Sequence, residues 1–205
     1  MHQAQANYTE AKKVQEQAVS IRERFLGPEH PETALSLTNL GVTYQRLRQY
    51  ARAEECFQRS ISVYEKEYSR EHVDLASILN CLAGLYYELA QYSKAEPLYV
   101  RSLTIWTNIL GPSHPKVALG LNNMAQLYRA EGRYDEAEPA FRKALEILLT
   151  VYADSHQSVR HVIRNYVSYL RDRGRNLQDI LILIGEIAQP FGINLTDLVL
   201  TLGSE

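Results

Sequence analysis

Cysteine is nearly missing from this 205-residue chain: there are two, Cys56 and Cys81. A lone pair makes no spaced disulfide framework, and neither has a histidine at metal-motif spacing, so a reducing, cytoplasmic setting is expected. An excess of charge is missing too. Its 22 Lys+Arg against 24 Asp+Glu leave a formal charge of −2, where a nucleic-acid platform carries a strong basic surplus. Long apolar runs are absent: the longest, Ile180–Ile184, is far short of the ~20 residues of a membrane span. The opening MHQAQANYTEAKK lacks the apolar core of a secretory signal. Neither a glycine-rich phosphate loop nor a nucleophile elbow occurs. The expectations are no nucleic acid, no membrane, no cofactor or metal, and no enzyme.

What the chain does have is a phrase repeated at a step of 42 residues, marked by Tyr50, Tyr92 and Tyr134 and foreshadowed at Tyr8. Other columns keep the step without a gap: Ala11, Ala53, Ala95, Ala137; His30, His72, His114, His156; Leu37, Leu79, Leu121, Ile163; Tyr44, Tyr86, Tyr128. A fixed period of this length is the sign of a solenoid, which grows by stacking and buries a core between neighbours. The 45% apolar content is ample for one.

Within each step, apolar residues at helical spacing predict two antiparallel helices. The A helices are expected near 32–48, 74–90, 116–131 and 158–173, and the B helices near 8–26, 50–68, 92–110 and 134–152. Gly27-Pro28 stops the first B helix, and Pro31 suits the first position of the next A helix. Small residues (Gly41, Ala83, Ala125; Ala53, Ala95, Ala137) fall where the helices approach, with Phe57, Tyr99 and Phe141 beside them. That alternation is what ridge-into-groove packing requires.

The pattern Leu37-x-x-Leu40-Gly41-x-x-Tyr44 with Ala53-x-x-x-Phe57 recurs as Leu79/Leu82/Ala83/Tyr86 with Ala95/Tyr99, and as Leu121/Met124/Ala125/Tyr128 with Ala137/Phe141. It resembles the tetratricopeptide repeat, lengthened from its usual 34 residues. The phrases LGPEHPETA, LNNMAQLYRAEGRYDEAEP and LGPSHPKVALGLNN resemble kinesin light chain repeats in particular. The resemblance covers residues 8–175 and implies an all-α fold: a right-handed α-solenoid of helix pairs. This array has fewer repeats than a kinesin light chain domain, and its fourth copy (Ser155-His156-Gln157, Arg160-His161) departs from the pattern.

The expected organisation is a disordered start at 1–7, then an array over 8–175 (an orphan B helix and three to four repeats), then an apolar helical segment over 176–205. An orphan B helix implies either a piece of a longer array or a face covered by something else. In the last segment Asn176 is expected to cap a helix to about Gln189, with Pro190 and Gly192 breaking it. Asn194 is expected to cap a short helix with Leu195, Leu198, Val199 and Leu202 on one face. The first of these helices is apolar nearly all round, so it is expected to be buried: as a solenoid cap, a homo-oligomer contact over 177–202, or an occupant of the groove.

The histidine column invites a metal reading that spacing refuses. Neighbouring copies stand on the order of 10 Å apart, while zinc ligands sit about 2 Å from one ion. These are expected to be loop histidines bonded to nearby backbone. The better candidates lie on the A-helix stripe left over after packing: Asn39, Arg46, Asn80, Tyr87, Asn122, Asn123, Arg129, Arg164 and Asn165. An asparagine amide both donates and accepts, so it can pair with the backbone of any extended peptide. The alternative is that these amides bond between helices and set the pitch, and both roles can hold together. Arginines favour acidic side chains. In tetratricopeptide domains the A helices line a concave groove whose asparagines hold a peptide main chain, and the resemblance implies that role here. A lysine clamp for a terminal carboxylate is absent. The expected function is a non-catalytic module binding an extended, acid-bearing peptide of another protein. The alternative is a structural scaffold self-assembled through the apolar tail.

Overall fold

The structure, a computed structural model, describes residues 2–68, 71–152, 156–196 and 199, with the backbone alone for 2–6. Among them are helices α1 (His2–Phe25), α2 (Pro31–Arg46), α3 (Tyr50–Glu67), α4 (Val73–Glu88), α5 (Tyr92–Leu110), α6 (Pro115–Ala130), α7 (Tyr134–Val151), α8 (Gln157–Asp172) and α9 (Leu177–Ala188). The expected pairs are therefore present, with bounds within about two residues except at the start. There α1 begins at His2 and not near Tyr8, because nothing in Gln3-Ala4-Gln5-Ala6 breaks a helix and all are good formers. Two compact units divide the chain, Met1–Ile105 and Trp106–Glu205, the division falling inside α5.

In the first unit α2 packs between α1 and α3, and α4 lies against α3 and touches α2. Leu37, Phe57, Tyr64, Leu75 and Leu79 are fully buried there, each such side chain contributing roughly 1.5–3 kcal/mol. The closest approach is at Gly41, where a Cβ would stand 2.8 Å from the ring of Phe57. Polar ties recur with the repeat. Ser60 Oγ donates to the Ala34 carbonyl (2.8 Å) and Ser102 Oγ to that of Ala76 (2.7 Å). The Tyr44 hydroxyl donates to Glu16 (2.7 Å) and that of Tyr86 to Glu54 (2.6 Å). Burial, reinforced by these carboxylates, pushes both hydroxyls up to about 12.

In the second unit α7 packs on α6, α8 and α9, and α6 touches α8. Phe141 stacks on Tyr166 at 5.5 Å between centroids, both fully buried. Asn176 Oδ1 accepts from the Asp179 N–H (2.9 Å), a 3-10 turn spans Gln189–Phe191, and Gly192 sits at φ +68°. Ile180, Ile184 and Ile187 of α9 are buried, as are Leu195 and Val199, while Leu177 and Ile182 are exposed. Asn194 Oδ1 accepts from the Thr196 N–H (2.9 Å); Leu198 and Leu202, expected beside Leu195 and Val199, lie outside the described residues, as does Ser155 of the fourth copy.

Each A helix starts and stops by one device. His30, His72, His114 and His156 are its N-caps, the ring Nδ1 accepting from the backbone N–H two residues on at 3.1–3.2 Å. This is the task a serine or aspartate usually performs, and it accounts for the histidine column. Each stop uses a left-handed residue: Arg48, Ala90, Gly132 and Gly174, with φ from +55° to +76°. The next N–H then closes on a carbonyl five residues back: Gln49 on Tyr44, Gln91 on Tyr86 and Arg133 on Tyr128 at 2.8 Å, and Arg175 on Leu170 at 3.0 Å. That satisfies carbonyls the helix end leaves open.

Candidate functional site

The A-helix stripes hold the nine predicted residues, and each unit uses them differently. On α2, Asn39 and Arg46 are exposed, in line with the 40% exposed Leu35. On α4, Asn80 and Tyr87 are half-buried, and the Tyr87 ring lies 5.8 Å from that of Tyr92. Cys81 sits beside Asn80, its thiol pushed up to about 11 by burial; burial first, then Glu55, does the same to Cys56. Both sulfurs are therefore protonated thiols at neutral pH, unsuited to nucleophilic attack.

The second unit gathers its predicted residues into two clusters between α6 and α8. Asn165 Nδ2 donates to Asn122 Oδ1 (3.0 Å) and stands 3.2 Å from His161 Nε2. Asn122 Nδ2 reaches Asn123 Oδ1 at 3.4 Å. Further along, Arg129 Nε donates to Asp172 (2.8 Å) and another of its nitrogens to Ser168 (2.9 Å). Two expectations need revision. Asn122 is 1% exposed, sealed where α6 meets α8, so no visiting strand reaches it broadside. Arg129, expected to meet a ligand's acid, already faces one in Asp172. Of the rest, Asn123 and Asn165 are half-buried and Arg164 is exposed.

Beside the first cluster lies a cavity of about 320 Å³ lined by Pro115, Lys116, Leu119, Asn122, Leu148, Gln157, Ser158, His161 and Val162. Pro115, Leu119, Leu148 and Val162 are its apolar lining. Its polar lining holds two basic side chains, Lys116 and His161, and no carboxylate. Burial, then the neighbouring Arg164, holds His161 below the ordinary imidazole range. A neutral ring fits its surroundings, since Asn165 Nδ2 can only donate to Nε2. Sequence reasoning passed over Lys116, yet a signal was there. The column one residue inside each A helix reads Glu32, Asp74, Lys116, Ser158, so only the third copy places a cation where the helix dipole favours an acid. A residue that breaks a local rule marks a site worth inspecting.

The comparisons with known proteins bear on the family and the fold. Residues 1–66 and 74–150 match the tetratricopeptide repeat family. The chain is a tetratricopeptide repeat protein. Solved structures with kinesin light chain-like repeats share its fold. BtubC (BKLC) from P. vanneervenii superposes with a TM-score of 0.74 at 19% identity, over 98% of this chain and 75% of that one. Two structures from Podosopora anserina, described as a kinesin light chain with nearly identical TPR-like repeats, give TM-scores of 0.71 and 0.70 at 23% identity. They cover 91% and 93% of this chain and 88% and 90% of theirs. No curated protein matches the chain. The tetratricopeptide repeat protein thus has the all-α helix-pair fold its period predicts, a fold of protein-interaction scaffolds and in general a non-catalytic one. No helix of the described residues is long and apolar enough to cross a membrane.

Proposed function

We propose that this tetratricopeptide repeat protein binds an extended segment of another protein along the α6–α8 face, one apolar side chain entering the cavity and flanking acids meeting Lys116 and Arg164. The observation that carries this reading is the composition of the cavity: four apolar side chains with one cation, Lys116, and no carboxylate among its lining. An apolar pocket with a few convergent polar groups is the usual form of a recognition site. In this reading Asn123, half-buried on the same helix, exchanges its present contacts for the segment's main chain, while Asn122 and Asn165 keep the two helices in register. In the first unit the corresponding stripe has Asn39 and Arg46 exposed and Asn80 and Tyr87 half-buried. The second reading, assembly through residues 177–202, has less behind it, because Ile180, Ile184 and Ile187 are already buried and a cap role uses them fully.

The test is an immobilised peptide array in which single leucine or tryptophan residues are flanked by Asp/Glu, by Lys/Arg or by neutral residues. The acid-flanked set should bind, and Lys116→Glu should weaken it by about tenfold or more, some 1.4 kcal/mol, with the far-UV spectrum unchanged. Equal binding to all three sets, or an undiminished signal in the variant, would remove the cavity from the account.

A further inference from the structure

Helix α1 leaves an apolar stripe uncovered: Val14 is 59%, Ile21 57% and Phe25 75% exposed. In the copies 42 residues on, most of the stripe is closed: Cys56 and Val63 are 7% exposed and Ser60 0%, and in the second unit Ala144 is 0% and Ile147 3%, while the position of Phe25 stays exposed in Glu67, Ile109 and Val151. On α3 the covering helix is α2, tied there by Ser60. α1 meets α2 with its other side, through buried Val19, the Glu16–Tyr44 bond and the contact of Arg22 with Ser36. Val14, Ala18, Ile21 and Phe25 are therefore left facing outward, and their spacing of four, three and four residues is that of a seam between paired helices.

The charges beside the stripe say which partner fits. Glu10, Gln17 and Arg24 are all exposed and, being seven residues apart, run in one line along its edge. The line is antisymmetric about Gln17: an acid one heptad before it, a base one heptad after. Laid against a second copy in the opposite direction, Glu10 meets Arg24 twice, Gln17 meets itself, and the small Ala11 and Ala18 interleave with Val14, Ile21 and Phe25. Laid parallel, this edge faces the partner's other edge, which holds Gln15 and Arg22, and the two Glu10–Arg24 pairs are lost. We infer that α1 is a homotypic docking surface, two copies pairing antiparallel across a twofold axis at Gln17, an isologous contact. The inference stands apart from the peptide-binding reading, which uses other helices.

Sedimentation velocity on the full chain tests it. A reversible monomer–dimer equilibrium is expected, and Ile21→Glu, which would bury a carboxylate from each copy, should leave monomer with unchanged helicity. Glu10→Arg or Arg24→Glu alone should weaken the dimer several-fold by placing like charges together, and the double exchange should restore it. Under mild oxidation Gln17→Cys should cross-link two copies. Glu10→Cys should not, its sulfurs lying ~21 Å apart across fourteen residues of helix. The inference is overturned by a chain that stays monomeric up to about 100 μM, by a dimer indifferent to Ile21→Glu (as α9 pairing would give), or by efficient cross-linking through Glu10→Cys.

Discussion

At the residue scale the second unit depends on donors and acceptors being matched. Asn165 spends its amide hydrogens on Asn122 Oδ1 and His161 Nε2, so a proton on Nε2 would set donor against donor. Burial, then Arg164, lowers the affinity of His161 for that proton in the folded chain. The unfolded chain, with an ordinary imidazole near 6.5, takes up the proton first on acidification. This contribution to stability is therefore complete above about pH 6.5 and lost as pH falls through the lower folded value. Urea titrations from neutral to mildly acidic pH should show wild type losing more stability than His161→Gln; parallel curves would show the ring to be indifferent.

At the element scale the repeat uses one stop signal four times and supplies it with unequal residues. Gly132 and Gly174 take the left-handed conformation without cost, while Arg48 and Ala90 hold φ of +58° and +55° against a penalty of roughly 1–2 kcal/mol. Ala90→Gly should stabilise the chain by about 1 kcal/mol after the added entropy of the unfolded chain is offset, raising the melting temperature by roughly 2–4 °C. A lower melting temperature would mean that the Ala90 methyl makes a packing contribution larger than its strain. Much at this scale was legible in the sequence. The histidine column announced a local backbone role, and helix bounds followed from glycine and proline positions. The early start of α1 was not legible, because Tyr8 opens a repeat phrase while helix formation needs only the absence of a breaker.

For the whole molecule, the proposed contacts fall in different units, α1 in the first and the α6–α8 cavity in the second. The monomeric Ile21→Glu variant should therefore bind acid-flanked peptides with the wild-type dissociation constant, measured by fluorescence anisotropy. A parallel loss of both activities would show that the two surfaces are linked. The candidate site was only half legible at this scale. The asparagines and arginines lie on the A helices, but a stripe is defined by one helix at a time. Whether Asn122 opens to a ligand or closes on Asn165 depends on how near α8 comes to α6, and so does the neutralisation of Arg129 by Asp172.

The sequence by itself determined the helix pairs, their caps and turns, and the small and large residues that fill their contacts, because all of these follow from a one-dimensional period and from local backbone chemistry. Only the tertiary structure decided which amides are consumed in holding helices together, where a cavity remains, and that α1 bares Ile21, whose later counterparts Val63, Ile105 and Ile147 are buried. Those outcomes depend on distances between side chains of different helices, and a repeat that gives neighbouring copies like residues does not specify them.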